Sequence, residues 1–228
     1  MKNNFEQVRK KISAAALRAG RDPAEVTLLA VSKRVSVDRI REAIAAGQFF
    51  FGENYLQEAR QKISAIETDL QWHFIGQFQS NKAKQVAELF DVVETLDRLK
   101  VAEALENRLA QMHKRMPVFV QVNIGREGQK GGVLPEDAES FVRKILMSSY
   151  LDFRGLMAMP PYFADPEKSR PYFRNLRLLA QDLARNGITG KNGKIEMSMG
   201  MSGDYEVAVE EGSTLVRVGT ALFGERGN

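Results

Sequence analysis

Leu28-Leu29-Ala30-Val31-Ser32-Lys33 is an apolar run that ends on a lysine, and no glycine separates it from the helical segment that follows. A doubly wound open sheet usually carries a glycine-rich turn where its first strand meets its first helix. The run therefore reads as a strand of another parallel architecture. Together with Val26–Val31, short β-branched or aromatic runs recur at Phe49–Phe51, Trp72–Ile75, Val92–Thr95, Val118–Val122, Phe153–Met157, Lys194–Met197 and Leu215–Val218. Helical periodicity fills the segments between them, near 36–46, 54–66, 80–89, 97–113, 136–148, 167–186 and 204–211. A further helix, near 3–19, precedes the first strand. This order predicts parallel strands joined by crossover helices, and eight such units close a barrel. The expected fold is α/β: a single (β/α)8 TIM-type barrel with an extra N-terminal helix. No repeat, low-complexity tract or Pro/Gly linker interrupts the chain, so residues 1–228 read as one domain.

Composition narrows the function classes. The 228 residues are 43% hydrophobic and 27% charged, enough for one sizeable core. The absence of cysteine removes disulfides, thiolate metal sites and cysteine nucleophiles. With His73 and His113 as the only histidines, no metal site is expected. No apolar run approaches bilayer length, and Met1-Lys2-Asn3-Asn4-Phe5 does not lead into a signal-peptide core. A cytoplasmic, monomeric protein with no membrane partner is expected. The net charge of +4 comes from interleaved acids and bases, as in Asp38-Arg39-Ile40-Arg41-Glu42. Nucleic-acid binders gather their basic residues in stripes or arms, so no nucleic-acid partner is expected.

In a barrel, chemistry sits at the C-terminal rim, where strands end and loops begin. That rule selects Lys33, Gly52 to Tyr55, His73 to Gln79, Asn123, Met157 to Pro160, Ser198 to Ser202, and Arg217 to Thr220. A lysine drawn among apolar neighbours loses ammonium hydration, which lowers its pKa from about 10.4 and frees the amine to attack an aldehyde. Lys33 alone also reads as an ordinary snorkelling lysine. Ser198-Met199-Gly200-Met201-Ser202-Gly203-Asp204 follows the seventh strand, and Gly219-Thr220 follows the eighth. Glycine lets a backbone approach closely, hydroxyls donate, and loops after strands seven and eight commonly hold phosphate in this fold. A phosphate seat beside a rim lysine fits pyridoxal 5′-phosphate (PLP), or a sugar phosphate attacked by a Schiff-base lysine. Periodicity does not separate the two.

Several strings resemble the PLP homeostasis protein family, a relative of the N-terminal barrel of alanine racemase. They are Leu29-Ala30-Val31-Ser32-Lys33, Phe51-Gly52-Glu53-Asn54-Tyr55-Leu56-Gln57-Glu58, Trp72-His73-Phe74-Ile75-Gly76 on to Gln79-Ser80-Asn81-Lys82, Gly155-Leu156-Met157-Ala158-Met159-Pro160, Ser198 to Ser202, and Val216 to Gly224. Gln77-Phe78 and Gly131-Gly132 depart from the common pattern and cloud the role of the loop after strand five. The resemblance implies that Lys33 carries PLP as a Schiff base. Ser202, Gly219 and Thr220 would hold the phosphate with Ser198 nearby, Asn54 and Met199 would line the ring, and Arg217 would face the pyridine nitrogen. A guanidinium donates but does not accept a proton, so that nitrogen would stay unprotonated and the ring would be a weak electron sink. His73 reads as a structural hydrogen-bonding group near the rim. Gln79, Asn81 and Lys82 read as a helix start, Trp72 and Phe74 as packing, and Tyr55 as a structural residue.

The related racemase takes a second catalytic base, a tyrosine, from a C-terminal β-domain. This chain ends at Asn228, just past the eighth unit, so one face of the cofactor is expected to be open. The reading is thus a protein of intracellular vitamin B6 and amino-acid balance that carries PLP without robust catalysis and has no catalytic residue of its own. PLP-dependent enzymes and small amino acids are its candidate partners. Three alternatives remain: a slow racemase-like enzyme, an aldolase-like barrel using Lys33 without PLP, and a scaffold for nucleic acid or protein.

Overall fold

The apolar runs become eight parallel strands that close in chain order: β1 (Thr27–Val31), β2 (Phe50–Glu53), β3 (Gln71–Phe74), β4 (Val92–Leu96), β5 (Met116–Val122), β6 (Leu151–Ala158), β7 (Glu196–Ser198) and β8 (Leu215–Val218). The ring shuts where β8 pairs with β1, from Thr27 opposite Leu215 to Ala30 opposite Val218. This computed structural model describes residues 1–190 and 193–224. The helices are α1 (Lys2–Arg18), α2 (Val37–Ala45), α3 (Leu56–Ser64), α4 (Ala83–Leu89), α5 (Leu99–Gln111), α6 (Ala138–Leu146), α7 (Arg170–Arg185), α8 (Tyr205–Glu210) and α9 (Thr220–Phe223). The fold is the expected α/β barrel with an extra N-terminal helix.

Strand residues alternate between two environments, as the pleat requires. Leu28, Ala30, Val93, Val118, Val120, Val216 and Val218 join the large apolar layer shared with the helices. Val92, Phe119 and Met157 pack separately, with Met159 against them, inside the ring. The same alternation sends His73, Glu94, Ser198 and Arg217 inward, so the barrel interior is apolar in one part and charged in another. Outside, each helix buries one stripe: Phe173, Leu176, Ala180 and Leu183 on α7, and Phe5, Val8, Ile12, Ala15 and Ala16 on α1. The α1 stripe faces α8 and α9, where the Phe5 ring meets the edge of Phe223 at 5.9 Å between centroids. Each large apolar side chain buried there contributes roughly 1.5–3 kcal/mol.

Most strand ends shift by a residue or two from expectation, and three differences bear on the site. β2 runs on to Glu53, and β7 spans Glu196–Ser198 instead of Lys194–Met197. The segment after β8, expected as a loop, opens into α9 directly behind Gly219. Elements this short show less than two full periods, which is too little for periodicity to fix their ends.

Candidate functional site

A cavity of about 290 Å³ opens at the C-terminal ends of the strands. Val31 and Lys33 reach it from the end of β1, Asn54 from β2, Ile75 from β3, and Met159 from β6. The far wall is Met201 to Asp204, Arg217, Gly219 and Thr220. Of the eight residues expected at the site, six meet here: Lys33, Asn54, Ser202, Arg217, Gly219 and Thr220.

Arg217 forms the floor. It is buried inside the ring, where Nη1 donates to Ser198 Oγ at 2.6 Å and Nη2 to the Ala158 carbonyl at 2.9 Å. Ser198 Oγ in turn donates to Glu94 Oε2 at 2.6 Å, and the other carboxylate oxygen of Glu94 meets His73 Nδ1 at 2.6 Å. Burial by itself pushes the Glu94 carboxyl up. Its bonds with His73 and Ser198, and the charges of His73 and Arg217, outweigh that and hold it below the usual carboxylate range. An ionised carboxylate only accepts, so His73 Nδ1 carries the proton between them. Burial pulls the Arg217 guanidinium down from its ordinary value, against Glu94 and Asp204. A buried charge persists where it is paired and hydrogen-bonded, and this chain of contacts supplies both.

The phosphate-type donors lie on the opposite wall. Ser202 Oγ accepts from the backbone N–H of Gly219 at 3.2 Å and of Ala221 at 3.3 Å. Ser202, Gly219 and Thr220 thus meet on one part of the cavity wall, and hydroxyls with backbone N–H groups are the donors an anionic oxygen needs. Local structure fixes Ser202: Met201 N–H donates to Asp204 Oδ1 at 2.8 Å, and Arg217 N–H donates to the Gly200 carbonyl at 3.0 Å. Gly200 has φ +95°, and a Cβ there would sit 2.5 Å from Ala208 Cβ, so the turn requires glycine.

Asn54 lines the cavity, and its Oδ1 is buried without a hydrogen-bond partner. Such a group costs stability unless a ligand satisfies it. Its backbone is braced by Gly76, where an added Cβ would lie 2.2 Å from the Asn54 carbonyl oxygen. The orphaned Asn54 oxygen, the donors around Ser202, the Arg217 head group and an amine at Lys33 together fit a phosphorylated aromatic aldehyde.

Ser198 and Met199, the other two expected residues, do not line the cavity. Ser198 is committed to Arg217 and Glu94 beneath the floor. Met199 is wholly buried in the apolar layer outside the ring. Ser198 lies between Met197 and Met199, both in the outer apolar layer, so alternation points it inward. Tyr162 and Phe163, absent from the expected site, border the cavity from the loop after β6, with Tyr162 88% exposed. The aromatic pair directly behind Pro160-Pro161 was the available signal. His73 lies inside the barrel instead of on its rim, while Tyr55 is exposed beside α3. Ser80–Lys82 forms a single turn that leads into α4.

The loop after β5 is tied to its neighbours on the barrel rim. Gln121 donates to Gly131 O at 2.7 Å, Gly132 N–H to Asp97 Oδ2 at 3.0 Å, and Gln77 to Gln121 at 2.6 Å. Gln77 and Gly131-Gly132, where the sequence departs from the pattern it otherwise resembles, are thus joined in one rim contact. Among the described residues no helix is long and apolar enough to cross a membrane, and no group of three His, Cys, Asp or Glu is placed to hold a metal ion.

Comparison with known proteins follows the same outline. The family described as alanine racemase, N-terminal domain, matches residues 1–227. A relative from Escherichia coli (strain K12), named pyridoxal phosphate homeostasis protein, is 44% identical over 98% of this chain and 96% of its own. One of the same name from Aquifex aeolicus is 41% identical over 97% and 96%. The structure of PipY from Synechococcus elongatus PCC7942 with PLP bound superposes with a TM-score of 0.80 at 33% identity, covering 95% of this chain and all of that one.

Proposed function

The chain belongs to the alanine racemase N-terminal domain family, alongside relatives named pyridoxal phosphate homeostasis protein, and from that membership we propose that it binds PLP in this cavity and serves intracellular PLP homeostasis. The observation that carries the reading is that Lys33, Arg217 and the Ser202–Gly219–Thr220 donors open onto one cavity. When bound, the cofactor supplies an aldehyde that condenses with amines and a ring that withdraws electrons. The chain's residues account for the rest.

Lys33 supplies the amine that holds the cofactor as a Schiff base. Ser202, Gly219 and Thr220 receive the phosphate, and Asn54 offers its unpartnered oxygen beside the ring. Arg217, immobilised by Ser198 and the Ala158 carbonyl, donates toward the pyridine nitrogen and cannot protonate it. Ser198 and Met199 act behind the site, the first by holding Arg217 and the second by packing. Residues 1–228 work as one PLP-binding barrel. Tyr162 and Met201, 88% and 36% exposed at the mouth, leave one side of the cavity wet. Proton transfer at a substrate carbon benefits from a closed, dry site, so this geometry favours taking up and handing over the cofactor above turning over an amino acid.

Visible absorption of the purified protein and its Lys33→Ala variant, before and after borohydride, tests the assignment. A yellow, reducible chromophore that requires Lys33 is expected. A colourless protein indifferent to added PLP, or reduction at another lysine, overturns it. Titration with small amino acids is expected to give no α-proton exchange above that of free PLP; faster exchange would identify a racemase-like enzyme instead.

A further inference from the structure

The loop that carries Lys33 is held from behind by charged residues outside the barrel. Glu53, at the end of β2, faces outward and is wholly buried against α3. Its Oε1 accepts from Ser32 Oγ at 2.7 Å and from Lys62 Nζ at 2.7 Å. Lys62, on α3 and 4% exposed, also donates to the Ser32 carbonyl at 2.6 Å and to Glu58 Oε1 at 2.6 Å. The same Glu58 oxygen accepts the backbone N–H of Arg34 at 2.5 Å.

These contacts fall on the residues either side of Lys33 in the chain. Lys62 holds the carbonyl that precedes Lys33, Glu53 holds the side chain that precedes it, and Glu58 holds the amide that follows it. Arg34 has φ +58°, a conformation that a non-glycine residue keeps only when its surroundings impose it. A lysine has four side-chain torsions, and its amine can be aimed only if the backbone at its root is fixed. An exposed surface pair would serve the β2–α3 connection without burying a lysine and a glutamate.

We propose that Lys62, Glu53 and Glu58 are positioning residues for Lys33: a clamp that fixes residues 32–34 so that the Lys33 amine points into the cavity. The inference rests on the assignment of Lys33 above. The step it serves is condensation, in which the Lys33 Nζ–carbon bond forms and the aldehyde oxygen leaves as water. The phosphate seat lies across the cavity and does not touch the clamp. Loss of the clamp therefore slows capture and spares phosphate binding.

The test compares PLP, captured through Lys33, with pyridoxine 5′-phosphate, which carries an alcohol in place of the aldehyde. In Lys62→Met the rate of PLP capture, followed by visible absorbance, is expected to fall roughly tenfold or more, as displacement of a reacting group commonly does. The Kd for pyridoxine 5′-phosphate is expected to stay within about twofold, a fraction of the tenfold step that 1.4 kcal/mol represents. Glu58→Ala, on the more exposed edge of the cluster, provides the same comparison where Lys62→Met fails to fold. In the ligand-free protein, amide exchange at Arg34 is expected to accelerate in Glu58→Ala. Unchanged capture in the folded variants, equal loss with both ligands, or unchanged Arg34 exchange overturns the clamp. If wild type itself gives no reducible adduct on Lys33, the assignment of Lys33 falls instead, and Arg34 exchange still reports on the clamp.

Discussion

Two buried carboxylates lie on opposite sides of the barrel wall, and they are held in opposite ways. Glu94, inside, has both oxygens occupied, one by His73 and one by Ser198, with Arg217 4.0 Å away. Glu53, outside, crowds Ser32 and Lys62 onto a single oxygen and leaves Oε2 buried without a partner. Burial works against both charges. Around Glu94 the hydrogen bonds and cations prevail, and its carboxyl lies below the usual range. Around Glu53 burial prevails over Lys62 and Ser32, Glu58 adds repulsion, and the carboxyl is raised. His73 and Arg217 both favour the Glu94 charge and both its oxygens are bonded, whereas Glu53 has Lys62 opposed by Glu58 and a single bonded oxygen. The inner cluster is a fixed support for the cavity floor, whereas the outer one leaves its buried carboxylate half satisfied.

The largest effect that could break this contrast is Glu94→Gln. The change leaves a buried guanidinium without its counter-charge, and breaking such pairs costs about 3–5 kcal/mol. Denaturant unfolding at neutral pH measures it. The pH dependence has a definite sign. A depressed folded pKa gives stability that is present above the unfolded pKa and lost as pH falls through the folded one. The advantage of wild type over Glu94→Gln is therefore expected to shrink on acidification. An advantage that is independent of pH would mean that Glu94 is not the charged member of its cluster.

Glu53→Gln should behave in the opposite sense and by less. At neutral pH the change is expected to cost less than Glu94→Gln, because Lys62 keeps its pairing with Glu58. A raised folded pKa gives stability that is complete below the unfolded pKa and lost as pH rises through the folded one. Wild type is thus expected to gain on Glu53→Gln as pH falls, the reverse of the Glu94 slope. Parallel slopes in the two series would erase the distinction between the clusters.

How far these clusters were legible in the sequence differs for the same physical reason. The eight strands follow from short apolar runs alternating with helical segments and Lys33 from its place just past β1, whereas the role of Arg217 comes from the resemblance. Glu94 stood in plain view within Val92–Thr95, but a carboxylate in a strand does not announce its partners on β3, β7 and β8. Lys62 resembles any lysine on a solvated helix face, since only the fold brings it under Ser32. Ser198 and Met199 come to the site only by resemblance; neighbours along β7 point to opposite faces, so Ser198 lies beneath the floor and Met199 in the outer apolar layer. Tyr162 and Phe163 lie on a loop without periodicity, where the aromatic pair behind Pro160-Pro161 is the one signal that points to them.

The smallest effect gives the finest cut. Ser198→Ala removes one hydroxyl between Glu94 and Arg217 and leaves both charges in place, so its cost in stability is expected to be about 1 kcal/mol. Arg217 keeps its bond to the Ala158 carbonyl, and its head group, already 4.0 Å from Glu94, has room to close on it directly. Binding of pyridoxine 5′-phosphate should then change by less than about threefold, well short of a lost charge-assisted contact. The sequence reading placed Ser198 near the phosphate, and on that reading the same variant loses tenfold or more, since bonds to charged groups are worth about 1.5–3 kcal/mol. One calorimetric titration separates the two. A weak effect leaves Ser198 where its hydrogen bonds put it, as the joint between the cavity floor and the inner carboxylate. A strong one would mean that the hydroxyl turns from Glu94 toward the ligand, and the inner cluster would then be no more fixed than the outer.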